Sequence, residues 1–565
     1  MRRIPRFVLP LARIAHHPGQ TNASVPLLRR SSARRNLLPG HCLFQAVALH
    51  SRRHRLVAAL LFCCVWTVSV YAAEKNSSYN TALESIKADE LGQQVGLLAD
   101  SAMEGREAGT RGGKAAGDYV ADQYAKIHLR GCGDNEGFFQ PFAPNFRNIL
   151  AMLQGSDPKL RDQMIVVCAH YDHVGYGGRG MSPDPYGAIH PGADDNASGT
   201  SAVLELAKAF TLLSEPPKRS ILFVNWDAEE KGLLGSKYWV AHPTVPLDRV
   251  VAALNLDMVG RLRDNHVMVF GSRTGYGWRR LLCSHNDSPG LQLEFSWILK
   301  PNADHYSLFE HGIPVLMFHT GLHKDYHRAS DLAKFINSQG MEQVTRMSFG
   351  LVYQLANGPT TPAYRAAAEN ETPETEKTAL DQIAKPPERL GVAWVEDAAV
   401  SGGVVVSDIN AGSPAERAGL REGDRIVRFA GHDIRSDDDF YGAVSAADSP
   451  ASLTVKRSGE KKPLDLTVTL DGTPLRWGVT WRVDDAEPGA VILTYVIPGS
   501  PAARAGLLVG DRIYQVAGHD FADEAGFALL VKTPSDSVQL MTERDGRLRA
   551  ATIQFRRTER LKRAA

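Results

Sequence analysis

An internal repeat divides the C-terminal part of this chain of 565 residues. The pattern GSPA-x-RAGL, followed by GDRI, stands at residues 412–426 and recurs with an offset of 87 residues at 499–513. Two copies of about 85 residues, each rich in strand-forming residues and with one helical pattern, indicate two small domains rather than a solenoid. We therefore predict one domain at residues 388–471 and another at 474–557.

The repeated block resembles tandem PDZ domains of the type attached to bacterial periplasmic proteases, on the strength of its SPAxxAGLxxGD signature. The resemblance implies that two loops hold the terminal carboxylate of a peptide through their backbone N–H groups, while the peptide adds as a strand to the sheet edge. These loops are Leu390-Gly391-Val392 and Trp477-Gly478-Val479. Because a fold does not fix binding, the alternative is a pair of scaffold domains whose grooves are filled internally.

The net charge of +1 hides an uneven distribution. Residues 1–55 contain 11 of the 64 basic residues and none of the 63 acidic ones, so residues 73–565 are mildly acidic. This balance gives no hint of the basic patch that a nucleic-acid-binding protein needs. We therefore predict that nucleic acid is not a partner.

The N-terminal segment 1–72 has the order of residues found in secretory signal peptides. Three arginines precede an uncharged stretch at 56–71, and the small residues Val70 and Ala72 then offer a cleavage site. The pattern predicts an exported protein, periplasmic or secreted. The alternative is an uncleaved membrane anchor, although the stretch is short for a membrane span of about 20 residues.

Residues 75–358 have an α/β pattern, and residues 359–387 resemble a linker in composition. Apolar, β-branched runs such as 164–168 and 220–224 are typical of buried strands. They alternate with helical patterns at Gly112–Ile127, Ser198–Leu213 and Asp331–Leu355. The alternation predicts a mixed, mostly parallel sheet flanked by helices.

Acidic residues and histidines follow every segment of this region that has the pattern of a buried strand. Five stretches contain these acidic residues and histidines: CAHYDH at 168–173, GADDNASG at 192–199, NWDAEE at 225–230, DMVG at 257–260 and the histidine-rich stretch 319–327. Taken singly, such residues are turn or helix-capping residues. Together, carboxylates that converge at the carboxyl edge of a sheet repel one another unless a cation neutralises them. Carboxylates with imidazoles suit zinc or a similar divalent metal.

Residues 75–358 resemble the cocatalytic di-zinc aminopeptidases, the family of secreted bacterial leucine aminopeptidases, which has glutaminyl cyclases as relatives. The motifs AHYDHVG, GADDNASG, AEEKGLLGS, NLDMVG and DYHRASD agree with this family in order and spacing. The resemblance implies two zinc ions per chain. It places His170 and Asp257 on one ion and Glu230 and His327 on the other, with Asp195 bridging both.

The same resemblance implies the roles of four further residues. Glu229 would be the general base for a water held between the metals, and Tyr326 would donate a hydrogen bond to the developing oxyanion. Asp172 would accept the ring N–H of His170, and Asp194 would orient the bridging carboxylate.

The leading hypothesis is an exported zinc aminopeptidase that removes N-terminal residues from peptides. Its PDZ domains would hold the C-terminus of a substrate or partner, and a membrane would be involved only if the signal segment stays uncleaved. A glutaminyl cyclase or carboxypeptidase of the same superfamily is an alternative, and so is an inactive PDZ scaffold. The complete ligand set favours two metals and hydrolysis, and the presence of Glu229 argues against a scaffold.

Overall fold

A computed structural model describes residues 77–178, 180–381, 386–396, 402–532 and 535–555. These residues belong to one compact unit, Ser69–Ala565. The predicted signal segment lies outside the described ranges. Among the helices of those ranges, none combines the length and the apolar character that a membrane crossing requires.

The first domain is built on one mixed sheet, and this confirms the predicted fold class. In the described residues its strand order is β1-β3-β5-β4-β6-β9-β7-β8, with β2 paired to β3. The strands are β1 Arg130–Gly131, β2 Phe139–Phe142, β3 Phe146–Leu153, β4 Met164–His170, β5 Ser220–Trp226, β6 Val250–Leu256, β7 His266–Phe270, β8 Gln292–Phe295 and β9 Val315–His319. The central strands β5, β4, β6 and β9 are parallel, whereas β3 and β7 join them antiparallel. The four central strands of the sheet are thus parallel, and the antiparallel pairs flank them.

The central strands are apolar without alternation because both of their faces are covered. Every residue of β4 and β5 is buried. Ile165 and Val167 pack into the core on one face of the sheet, while Val166 and Cys168 pack into the core on the other. After a helical segment at residues 77–85, the α-helices of this domain in the described residues are α1 Ala88–Leu98, α2 Arg111–Lys126, α3 Gly199–Thr211, α4 Leu234–Ala241, α5 Trp278–Cys283, α6 His305–Phe309 and α7 Ser338–Asn357.

The helix predicted from Asp331 begins only at Ser338. Asn337 is its N-cap, since the side chain accepts a hydrogen bond from the backbone of Gly340 at 2.9 Å. Asp331 instead accepts backbone hydrogen bonds from Asp194 and Asp195. The apolar periodicity of α7 extends backward into residues 331–337, which are not α-helical because Asp331 is hydrogen-bonded to the backbone of Asp194 and Asp195. This explains why the helix was predicted to begin too early.

The two repeats form two antiparallel sheets with the same order of strands. The first contains β10 Val392–Trp394, β11 Val404–Ile409, β12 Arg425–Phe429, β13 His432–Asp433, β14 Ala451–Lys456 and β15 Leu464–Val468. The second contains β16 Val479–Val483, β17 Val491–Val496, β18 Arg512–Val516, β19 His519–Asp520, β20 Ser537–Arg544 and β21 Arg547–Gln554. The remaining helices are α8 Pro373–Leu380, α9 Pro414–Arg417, α10 Asp437–Ala446, α11 Pro501–Arg504 and α12 Glu524–Lys532.

The repeats contact each other closely along α10. A Cβ atom at Gly499, whose φ is +69°, would lie 2.4 Å from the backbone carbonyl oxygen of Asp438, so the approach requires glycine there. The backbone N–H of Leu475 donates to the carbonyl of Ser445 at 2.9 Å, at the C-terminal end of α10. The two repeats are therefore packed together rather than loosely connected.

The first part of the predicted linker lies on the surface of the first domain. The backbone N–H of Arg365 donates to Thr274 at 2.8 Å, and the carbonyl of Ala363 accepts from Tyr276 at 3.1 Å. The guanidinium of Arg365 is 2.8 Å from Glu371 and 3.2 Å from Asp485 of the second repeat. This segment thus connects the first domain to the second repeat.

Buried charges join the second repeat to the first domain. Arg279 at the start of α5 forms two hydrogen bonds, of 2.8 and 3.0 Å, with the fully buried carboxylate of Glu543. Its backbone N–H donates to Glu487 at 2.7 Å. Arg273 forms ion pairs with both Glu371 and Asp484. We call these six residues the charged interface.

Replacing one carboxylate of the charged interface should destabilise the protein, because it leaves a buried arginine without its counter-ion. We expect Glu543→Gln to lower the free energy of unfolding by roughly 3 kcal/mol. Asp471→Asn is the control, since Asp471 and its partner Arg417 are 60% and 54% exposed, and such pairs contribute at most about 1 kcal/mol. Thermal and denaturant unfolding measure both. Equal stability of the two variants would contradict a stabilising interface.

Candidate metal centre

The predicted ligands meet at the carboxyl edge of the parallel strands. His170 ends β4, Asp257 directly follows β6, and Asp195 lies in the turn before α3. Nε2 of His170 lies 3.4 Å from Oδ1 of Asp195 and 3.7 Å from Oδ1 of Asp257. One ligand atom from each of these buried residues lies within 4.8 Å of the others, a spacing suited to one metal ion.

A second group of ligands shares Asp195. Nε2 of His327 lies 3.1 Å from Oδ2 of Asp195 and 3.1 Å from Oε2 of Glu230. Nδ1 of His173 lies 2.7 Å from Oε1 of Glu230 and 3.8 Å from Asp195. Because the two carboxylate oxygens of Asp195 face the two groups separately, this residue has the position of a bridge.

The second group contains His173 beside the predicted ligand His327. The two imidazole rings differ in which nitrogen atom faces the carboxylates. Nδ1 of His327 lies 2.9 Å from the backbone carbonyl of Met181, an arrangement that places the proton on Nδ1 and turns the Nε2 lone pair toward the carboxylates. The Nδ1 atom of His173 faces Glu230, and its Nε2 has no hydrogen-bond partner. His173 belongs to the AHYDHVG motif, but it was assigned no ligand role from the sequence.

The donor set fits divalent zinc. Nδ1 of His170 lies 3.2 Å from the backbone carbonyl of Asp172, so its Nε2 also faces carboxylates. Two imidazole lone pairs that face three buried carboxylates repel them unless a cation or extra protons lie between. Burial lowers the pKa of His327, but the hydrogen bonds to Asp195 and Glu230 outweigh burial and raise it to about 10. The carboxylates of the site therefore strongly stabilise a positive charge placed between them.

Asp172 has a different contact from the one predicted. Its carboxylate accepts hydrogen bonds from the backbone N–H groups of Glu229 at 3.0 Å and Glu230 at 3.3 Å. Its Oδ1 is 3.7 Å from Nδ1 of His170, whereas its backbone carbonyl is the nearer acceptor. Asp172 thus fixes the segment that carries the predicted general base.

Asp194 holds the turn after Asp257 rather than its neighbour Asp195. Its Oδ1 accepts a hydrogen bond of 2.7 Å from the backbone N–H of Gly260, and its Oδ2 lies 3.1 Å from Nε2 of His323. The backbone of Asp195 is held by Asp331, whose Oδ2 accepts its N–H at 3.2 Å. Sequence analysis missed the role of Asp331, although it belongs to the DYHRASD motif.

The predicted catalytic residues both lie beside the two ligand groups. Burial raises the pKa of Glu229 well above its usual range, and the neighbouring carboxylate of Glu230 adds to this effect. The ring of Tyr326 stacks on that of His327 with centroids 4.0 Å apart, and the residue is 37% exposed. Burial and the nearby charge of Asp195 raise the pKa of Tyr326, so its hydroxyl stays protonated.

Arg106 is a structural residue of the site that sequence reasoning did not identify. It is fully buried and donates to backbone carbonyls on both sides of the cluster. Its acceptors are Leu98 at 2.8 Å, Tyr171 at 2.9 Å, Pro191 at 2.6 Å and Gly192 at 2.9 Å. The guanidinium therefore ties the end of β4 to the segment that leads to the bridging carboxylate. Its segment, GREAGT at residues 105–110, is not among the motifs by which the sequence analysis located the site.

Arg106→Lys should weaken both folding and metal binding, because an ammonium donates fewer hydrogen bonds and lacks the planar fork. We expect a loss of at least roughly 2 kcal/mol in unfolding free energy and a lower zinc content. Arg111→Lys is the control, since the side chain of Arg111 is 72% exposed and its one ion pair within the described ranges is with Glu104. Unfolding with and without zinc, combined with metal analysis, measures the effect. Unchanged metal content in Arg106→Lys would rule out this positioning role.

Comparison with known proteins identifies the domains. Residues 148–352 match the model of peptidase family M28, and residues 405–457 and 492–542 match that of the PDZ domain. The chain is 29% identical over 220 residues to aminopeptidase YwaD of Bacillus subtilis, a match that covers 37% of this chain and 44% of that protein. It is 31% identical over 168 residues to leupeptin-inactivating enzyme 1 of Streptomyces exfoliatus, over 30% of this chain and 34% of that protein.

The chain spans less than half the length of each of these two relatives. Among solved structures, the LapA aminopeptidase of Legionella pneumophila matches with 23% identity and a TM-score of 0.42, over 50% of this chain and 75% of that one. The residues that match the two family models lie within the first domain and within the two repeats. Residues 148–352 are therefore similar to peptidase family M28, and each of the two repeats matches the PDZ domain.

Proposed function

We propose that this protein is a zinc aminopeptidase that binds two metal ions and hydrolyses the N-terminal residue from peptides. The observation that carries the proposal is the position of Asp195, whose two carboxylate oxygens face two separate groups of ligands. The name of YwaD, an aminopeptidase, supports the same activity. His170 and Asp257 would hold one ion, and Glu230 and His327 the other.

Zinc bound by these residues would polarise the scissile carbonyl and lower the pKa of a water molecule. Glu229, beside the ligand Glu230, would accept the proton of the attacking water and return it to the leaving amine. The protonated hydroxyl of Tyr326 would donate a hydrogen bond to the carbonyl oxygen as its charge develops. Asp172, whose carboxylate accepts a hydrogen bond from the backbone N–H of Glu229, would hold this base in position beside the ligands.

We propose in addition that the protein is exported, to the periplasm or beyond the cell, by the signal pattern in residues 1–72. The alternative is attachment to the membrane through the same segment. The PDZ domains would bind peptides or protein C-termini. In support, β10 and β16 each pair on one side only within the described residues, and the loops 390–392 and 477–479 lead directly into these edge strands.

Glu229→Gln tests the proposed base. We expect kcat on aminoacyl amides to fall by roughly 10²- to 10⁴-fold while the zinc content stays unchanged, because an amide cannot accept the proton of water. Glu310→Gln, an exposed carboxylate on the turn after α6, is the matched control and should keep full activity. Hydrolysis that survived Glu229→Gln would exclude the proposed mechanism.

Metal removal tests the number of ions. We expect a chelator to abolish activity, two equivalents of zinc to restore it, and zinc at about 100 times its Kd to stabilise the fold by about 2.7 kcal/mol. Asp257→Asn should reduce the content to one ion, and Asp195→Asn should weaken both. Metal analysis and a panel of free and N-blocked peptides measure this. One zinc with cyclisation of N-terminal Gln would instead identify a glutaminyl cyclase.

A further inference from the structure

Of the two PDZ domains, only the second contributes residues to the charged interface. At the offset of 87 residues, Glu543 of the second repeat corresponds to Lys456 of the first, and Arg547 corresponds to Glu460. The backbone carbonyl of Gly290 in the first domain accepts a hydrogen bond from Arg547. Because the first repeat has the opposite charge at both positions, it could not dock in this way. The docking contacts are thus a property that distinguishes the two PDZ domains.

Two arginines of the first domain are held between carboxylates on one side and aromatic rings on the other. The guanidinium carbon of Arg279, which pairs with Glu543, lies 4.0 Å from the ring centroid of Phe295. That of Arg273 lies 3.8 Å from the ring centroid of Trp297. Cation–π contacts of this kind contribute most where the charge is desolvated, and Arg273 is only 7% exposed.

These two rings stand at the start of a segment that ends at the metal centre. Phe295 is the last residue of β8, and residues 296–303 lead from it to Asp304, just before α6. Asp304 is fully buried, and burial raises its pKa to about 7. Asp304 directly precedes α6, and α6 packs against β6 and β9, of which β6 ends just before the predicted ligand Asp257. Residues 296–303 therefore connect the two rings to the edge of the sheet that carries Asp257, and we call them the wall segment.

We propose that the second PDZ domain positions the wall segment through Arg273 and Arg279, and thereby sets how well the active site binds its substrate. This inference rests on the proposed peptidase function. Asp484 and Glu543 hold the two guanidinium groups, and these in turn hold Trp297 and Phe295. The domain then acts as a fixed part of the peptidase, and its arginine contacts are positioning contacts that do not touch the substrate.

Asp484→Asn tests the proposal, because it weakens the hold on Arg273 without changing any predicted ligand. We expect KM for peptides to rise at least threefold, with kcat within twofold of the parent and an unchanged zinc content. Trp297→Leu, on the other side of Arg273, should have the same effect. In the double variant, KM should rise by less than the product of the two single-variant increases, since both substitutions act on the contacts of Arg273.

The control is Asp424→Asn in the first PDZ domain. Asp424 is buried and pairs with Arg457 at 2.7 Å, away from the first domain, so its loss should leave KM unchanged. A KM that stayed at the parent value in both Asp484→Asn and Trp297→Leu would overturn the proposal. Trp297→Leu keeps the test valid if Asp484→Asn fails to fold.

Hydrogen exchange provides a readout that does not depend on activity. We expect faster exchange of the backbone amides of residues 296–303 in Asp484→Asn, and parent-like exchange there in Asp424→Asn. Faster exchange in a protein that hydrolyses no aminoacyl substrate would refute the proposed function while the coupling stands. Unchanged exchange together with unchanged KM would refute the coupling and leave the peptidase function intact.

Discussion

Repulsion among buried carboxylates at one edge of the sheet is the constraint on which the site depends. The acidic residues of the described site divide into two classes according to whether backbone N–H groups donate hydrogen bonds to their carboxylates. Asp172, Asp194 and Asp331 accept hydrogen bonds from backbone N–H groups and thereby fix the loops. Asp195 and Glu230 face imidazoles instead. The loops are thus held by carboxylates that accept hydrogen bonds from the protein backbone, whereas Asp195 and Glu230 are predicted metal ligands.

The sequence predicted the fold class and the convergence of the ligand residues, because both follow from strongly periodic segments and from the rule that the carboxyl ends of parallel strands share one edge. It could not assign partners to individual oxygen atoms. Asp172 shows this, since the backbone of Glu229 and not the ring of His170 is the donor nearest its carboxylate. The role of Arg106 was equally hidden, because all of its acceptors are backbone carbonyls, which have no sequence signature.

The internal repeat also predicted only part of the domain arrangement. An offset of 87 residues reveals what two copies share, and so it predicted two domains of one fold. Docking uses what they do not share, such as Glu543 against Lys456. The linker composition of residues 359–387 likewise gave no sign that Arg365 lies buried between two carboxylates. Deleting both PDZ domains would therefore remove counter-ions from the first domain as well as any peptide-binding groove, and point substitutions separate these effects.

The position of Glu543 in the chain has a consequence for biosynthesis. Glu543 lies in β20, 264 residues after Arg279 of the first domain, which it neutralises. A nascent chain that has reached His327 contains all of the predicted zinc ligands, whereas Arg279 has no counter-ion in Glu543 until β20 has been synthesised. The second repeat can therefore dock on the first domain only after the ligand-bearing segments have been made.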